Sequence, residues 1–175
     1  MIPAGTLVLR TLLNVARQRD GLNEAGCRLV LEYLASAQGV EAVLQRRLAA
    51  IGFSENQFSV LVALYALDPA ASTPADLAHH AGTTRSAMTA LLDHLEVRGL
   101  LARQRDTRDR RLVYVQLTPA GQTAANTALM DYLRAANELA DLVAPADQAA
   151  LLQASTQFQA AANRISSANA SATVP

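Results

Sequence analysis

Apolar positions follow a helical period along most of the chain, broken by one short alternating stretch. Leu9, Leu12, Leu13 and Ala16 predict a first helix over 6–19, stopped at Asp20-Gly21. A longer pattern over 23–51 sets Val30, Leu34, Ala37, Leu44, Leu48 and Ile51 near one face, with Gly39 as a kink and Gly52 as the stop. Ser54 with Gln57 three residues on has the form of a capping box. It opens a third helix whose inward positions are Phe58, Leu61, Val62 and Tyr65, ended by Asp68-Pro69. Thr73-Pro74-Ala75-Asp76 starts a fourth, with a capping hydroxyl, a proline at the first position and a carboxylate at the positive end. That helix is short, because Gly82 follows six residues after Asp76. A cap at Thr83 opens a fifth helix with Met88, Leu91, Leu92 and Leu95 as its buried stripe, ending at Gly99.

The period then changes. Val113, Val115 and Leu117 alternate, which predicts strands over 100–105 and 112–117 joined as a hairpin. Thr118-Pro119 caps a helix to about 143, and Pro145 interrupts it. A last helix runs to about 166, with Leu151, Phe158, Ala162 and Ile165 on one side. The small, polar tail 167–175 is expected to be disordered. Helix, helix, turn, helix, hairpin is the order of a winged helix-turn-helix. The expected fold is therefore mainly α with a small β-hairpin wing: a winged helix-turn-helix domain at 53–118, between helical regions at 1–52 and 119–166.

Composition supports helices: 51% of residues are hydrophobic but only 4% aromatic, so the core is built from Ala, Leu and Val. The longest uninterrupted apolar stretch, Val60–Leu67, is far short of the roughly 20 residues a membrane span needs. Arg10 interrupts the only apolar run near the N-terminus, which argues against a signal peptide, and a single cysteine suits a reducing cytoplasm. Net charge is zero, yet residues 85–111 hold seven Arg against four acids, a local excess of +3. A basic segment on an otherwise acidic body is the footprint of a confined nucleic-acid surface. "RDTRDRRLVYV" concentrates it, with Arg105, Arg108, Arg110 and Arg111 around the tip of the hairpin.

A helix-turn-helix needs a small residue where its helices approach, glycine at the turn and apolar residues that lock the second helix. Ala78, Gly82 and Met88 supply these, with Leu77 and Leu91 as further core contacts. The exposed N-terminal half of the second helix then offers Thr84, Arg85, Ser86, Thr89 and Ala90 to a major groove wide enough to admit it. Arg forks onto guanine, and Ser or Thr donates to phosphate or base edges. An adjacent β-loop lies over the flanking minor groove, whose negative potential attracts Arg108 and Arg110. Asp109 is expected to hold a neighbouring arginine, with Arg111 as its partner. An edge hairpin charged against aggregation is the bland alternative, but it leaves the excess of positive charge unexplained.

"GLLARQRDTRDRRLVYVQLTPAG" at 99–121 resembles the wing of the MarR-type winged-helix transcription regulators. The family's pattern is Asp, any residue, Arg, five residues, Leu-Thr, two residues, Gly; Asp109, Arg111, Leu117, Thr118 and Gly121 match it. "FSENQFSVLVAL" and "LLDHLEVRGLL" resemble the pre-recognition helix and the end of the recognition helix. The resemblance covers about 23–166 and implies a homodimer built from the first and last two helices. It also implies a repressor on double-stranded DNA that reads a pseudo-palindrome and is released by a small ligand. Many members carry Arg where this chain has Ala90, and often another basic residue at His94, which gives Arg85 a larger share. Leu129, Leu133, Leu139, Leu151, Phe158 and Ile165 are the expected interface or core residues.

Members of that family commonly bind aromatic or phenolic effectors between the dimer helices and the winged domain. Tyr33, Arg47, Tyr65 and Tyr132 are the candidates to line such a pocket here. One branch senses peroxide through a cysteine, but Cys27 lies about a turn too early for that position, and an inert Cys27 is the better reading. A redox-sensing regulator acting through Cys27 and a protein–protein interaction module remain the alternatives. No metal site or cofactor is expected: His79 and His80 are adjacent and point about 100° apart on a helix. No nucleophile–base pairing or Gly-rich phosphate loop suggests an enzyme.

Overall fold

The computed structural model describes residues 6–68, 72–109 and 111–172. Five helices lead in chain order, α1 (Leu7–Gln18), α2 (Glu24–Ala50), α3 (Glu55–Leu67), α4 (Pro74–His80) and α5 (Arg85–Val97). Strands β1 (Leu101–Arg105) and β2 (Val113–Leu117) follow, then α6 (Pro119–Asp141) and α7 (Pro145–Ala172). Residues up to Ala135 form one compact unit and those from Ala136 another.

Local chemistry explains most of these boundaries. Asn23 caps α2 by accepting from the Gly26 N–H. Ser54 and Gln57 form a reciprocal capping box on α3, and Thr73 and Asp76 form one on α4. Pro74 occupies the first turn of α4, where its missing N–H costs no helical bond. The cap of α5 is Thr84, not Thr83: the Thr84 hydroxyl oxygen accepts from the Ala87 N–H at 3.2 Å. Thr83 instead belongs to the turn, its N–H donating to the Ala78 carbonyl. Gly82 sits between them at φ +59°, a left-handed conformation that a side chain would strain.

The core of the first unit gathers around Leu61, Leu77, Met88, Leu92, Leu95 and Val115. Helix α3 buries Val60, Leu61 and Leu64, whereas Val62 is only half-buried and Tyr65 is exposed, so its inward face is rotated from the one expected. That helix is apolar nearly all round, and periodicity fixes no face on it. Strands β1 and β2 pair antiparallel, Leu101 opposite Leu117, Arg103 opposite Val115 and Arg105 opposite Val113. Ser72, just before α4, exchanges hydrogen bonds with Val115 and adds a one-residue third edge to the sheet.

The hairpin is tied to α6 by the Leu-Thr-Pro-Ala-Gly segment. Thr118 donates its hydroxyl to the Gly99 carbonyl at 2.7 Å and its N–H to Leu100, while its hydroxyl oxygen accepts from the Gly121 N–H. A Cβ on Gly121 would stand 1.7 Å from the Leu100 carbonyl oxygen, so only glycine fits. In the second unit, Gln148 donates to the carbonyls of Ala140 and Val143 and closes the turn before α7. Helix α7 continues through 167–172, part of the tail expected to be disordered; 173–175 lie outside the described residues.

Candidate nucleic-acid interface

Met88, Leu92 and Leu95 lock one side of α5 into the core, and every one of them is fully buried. The opposite side is exposed at Arg85, Ser86, Ala87, Thr89, Ala90, Asp93 and His94. At 100° per residue, Ser86 and Ala90 stand most directly away from the buried stripe in the first two turns. Arg85 and Thr89 turn toward the hairpin. They line an open cleft of about 380 Å³ with Thr73, Pro74, Arg111 and Leu112. The Thr89 hydroxyl donates back to the Arg85 carbonyl at 2.9 Å.

The wing tip is shaped by its own carboxylates. Asp106 accepts from the N–H groups of Arg108 and Asp109 at 2.6 and 2.7 Å, and its own N–H donates to the Leu112 carbonyl. Asp109 receives a forked hydrogen bond from Arg111, Nε to Oδ1 and a terminal nitrogen to Oδ2, both at 3.0 Å, and also accepts the Arg111 N–H. Those side-chain and backbone bonds hold the Asp109 carboxyl below its ordinary range and push the Arg111 guanidinium further up. Asp106 and Asp109 therefore rigidify the loop, while Arg105 and Arg108 are exposed.

Two arginines that sequence reasoning passed over are used internally. Arg103 on β1 reaches across to α5, where it pairs with Asp93 and with Glu96 at 3.0 Å and donates to the Thr89 carbonyl. Its side chain is 24% exposed, against 56% and 40% for the two acids. Arg98 donates to the Gly52 carbonyl at 2.9 Å and covers the Phe53 ring at 4.4 Å. The sequence did hold a signal for Arg103: Leu101, Arg103 and Arg105 share one face of β1, and Asp93 and Glu96 lie one turn apart on α5. Arg98 is held by a carbonyl and a ring, and Arg103 and Arg111 by carboxylates; Arg85, Arg105 and Arg108 have neither an ion pair nor a side-chain hydrogen bond among the described residues. Arg110 lies outside the described residues.

The other candidate positions are scattered. Tyr132 on α6 stacks on Phe58 of α3 with ring centroids 4.8 Å apart, so its ring serves packing between those helices. Tyr33 is half-buried in α2, Arg47 is exposed near its end and Tyr65 is 40% exposed on α3. Cys27 is half-buried and borders an open apolar cleft with Val30 and Leu31. No group of three metal-ligating side chains occurs among the described residues. No helix among them is long and apolar enough to cross a membrane.

A reading helix presented by a glycine turn and flanked by a positively charged hairpin defines a winged helix-turn-helix. Residues 53–113, which hold the reading helix and most of the hairpin, match the model of the MarR family. The chain is 27% identical over 101 residues to the HTH-type transcriptional repressor YetL of Bacillus subtilis, a match covering 58% of this chain and 60% of YetL. Among solved structures it is similar to the transcriptional repressor CouR bound to a 23-mer DNA duplex, at 27% identity and a TM-score of 0.64. That likeness covers 75% of this chain and 92% of CouR. The fold is also that of Bordetella bronchiseptica BpsR, whose DNA binding is regulated by 6-hydroxynicotinic acid, at 24% identity and a TM-score of 0.57 over 70% of this chain and 86% of BpsR.

Proposed function

We propose that this chain is a sequence-specific DNA-binding transcriptional regulator that acts as a homodimer in the cytoplasm and represses until a small effector releases it. The observation that carries the reading is the set of uncompensated cations, Arg85 on α5 with Arg105 and Arg108 on the wing, beside Arg103 and Arg111, whose charges carboxylates already meet. Phosphates supply the missing counter-charge. In this reading α5 enters a major groove, where Arg85, Ser86 and Thr89 meet base edges and Thr84 caps the helix. The wing lies along the adjacent minor groove, with Arg108 and Arg110 toward the phosphates and Asp109 and Arg111 holding its shape.

The dimer is supported by unpartnered apolar surface on the terminal helices. Helix α7 has 28 residues and buries no described side chain, leaving Leu151, Leu152 and Ile165 between 50% and 71% exposed. On α1 and α2, Leu7, Leu29 and Val30 are between 50% and 80% exposed. A second copy covers such faces and makes 1–52 and 119–166 a dimerisation region. Two-fold symmetry then sets the reading helices about 34 Å apart, on successive turns of a pseudo-palindrome. An aromatic or phenolic effector, of the kind that regulates BpsR, would act by changing that spacing, with Tyr33, Arg47, Tyr65 and Tyr132 as candidate contacts. A coupling of about 1–3 kcal/mol gives 5–150-fold regulation.

Fluorescence anisotropy on DNA flanking the chain's own gene tests the reading. The operator is expected to bind at least about 10³-fold more tightly than random duplex, with Arg85→Ala removing most of the preference. Equal affinity for both duplexes would leave protein–protein contact as the better account.

A further inference from the structure

The exposed, N-terminal half of α5 is poor in groups able to hydrogen-bond a base. Arg85 is its one guanidinium, and it leans toward the wing cleft. The Thr89 hydroxyl donates its proton to the Arg85 carbonyl at 2.9 Å, so it offers a partner its methyl and an accepting oxygen but no donor. Ala90 is exposed and carries only a methyl. Further along, Asp93 and Glu96 are held by Arg103 and are not offered to a cytosine amino group. What remains is the Ala90 methyl beside the Ser86 hydroxyl on the outermost strip and, on the side toward the wing cleft, the Thr89 methyl. Small side chains there also let the helix backbone come close to the groove floor.

We infer that Thr89 and Ala90 are specificity-determining residues that recognise the 5-methyl groups of thymine in each half-site, with Arg85 forking onto a guanine beside them. The inference rests on the DNA-binding reading above. It follows from the one apolar feature that distinguishes bases in the major groove: thymine alone projects a methyl there, and alanine and the threonine methyl are its natural contacts. Burying a methyl pair is worth about three- to fivefold in affinity, enough to choose thymine over cytosine or uracil at one position.

The test uses the full-length protein. Duplexes are selected from a random library, and each thymine of the enriched half-site is then replaced in turn by deoxyuridine, which removes the methyl and leaves every hydrogen-bonding group. Deoxyuridine at one or two positions is expected to weaken binding about three- to fivefold. Thr89→Ser keeps the bond to the Arg85 carbonyl and removes only the methyl, so it should abolish the penalty at one position; Ala90→Gly, which removes the other methyl, should abolish it at the other. Equal binding of thymine and deoxyuridine duplexes at every position, with Arg85→Ala still damaging the preference, would overturn the inference and leave the regulator reading intact. A library that yields no enriched sequence, with Arg85→Ala without effect, would overturn both.

Discussion

Seven arginines lie between residues 85 and 111, and the neighbours of the six described ones divide those six into structural and outward-facing groups. Arg103 is the most consequential of the structural ones, because it neutralises two carboxylates on the helix proposed to face DNA. Arg103→Ala should cost about 1 kcal/mol of stability, since the pairs are partly solvated. It should also weaken DNA binding roughly three- to tenfold by leaving Asp93 and Glu96 to repel phosphates. Adding Asp93→Asn and Glu96→Gln should restore affinity; a triple variant as weak as the single one would contradict this role. The Asp109–Arg111 fork makes a second residue-scale prediction. Its folded-state carboxyl lies below the ordinary value of 3.8, so the group favours the folded wing above that value and loses this as pH falls through the lower folded one. Nuclear magnetic resonance of the wing amides should therefore show no transition from this pair at neutral pH, and loosening only below about pH 4. The Asp109–Arg111 spacing was visible in the sequence because both groups lie in one turn. The Arg103 clamp left only a partial trace there, the paired acids Asp93 and Glu96 and the shared face of β1, because it joins groups ten residues apart through the packing of a strand on a helix.

At the level of elements, caps and close approaches set where helices begin and how tightly they meet. Thr84→Ala should destabilise the protein by about 1 kcal/mol, whereas Thr83→Ala should change it by no more than a few tenths, as read by chemical denaturation. Gly121→Ala drives a Cβ into the Leu100 carbonyl and should cost about 1–3 kcal/mol or more, lowering the melting temperature without touching the DNA-facing surface. An unchanged melting temperature would show that the hairpin-to-α6 junction yields. Helix and strand positions were legible because glycines, prolines and capping residues punctuate this chain densely. The choice between two adjacent threonines was not, since both are capable caps and only the turn geometry at Gly82 selects one. The inward face of α3 was illegible for a different reason: with few polar positions around it, no phase of the helix is favoured. Ser72 escaped notice as a strand because a one-residue bridge leaves no alternation to see.

For the molecule as a whole, the apolar surface left on α1, α2 and α7 and the charge left on the wing call for different partners. Ile165 is 65% exposed and Leu133 52%. A charge there should not harm either folded unit, yet Leu133→Glu with Ile165→Glu should shift the protein from dimer to monomer in sedimentation velocity at micromolar concentration. A folded dimer in the double variant would move the interface elsewhere. The apolar stripes of the terminal helices were readable as patterns, but not which of them face the chain's own core; Val30 and Leu34 fit a helical stripe and are nonetheless about half exposed. The central claim concerns the other surface, that Arg85, Arg105 and Arg108 await DNA. The most direct measurement is the salt dependence of DNA affinity for the wild type and for Arg108→Ala. Counterion release predicts a steep linear fall of log affinity with log salt, and a slope shallower by about 0.9 in the variant because one phosphate contact is gone. A wild-type affinity indifferent to salt, or a variant with an unchanged slope, would mean that the wing's charge is not spent on phosphates.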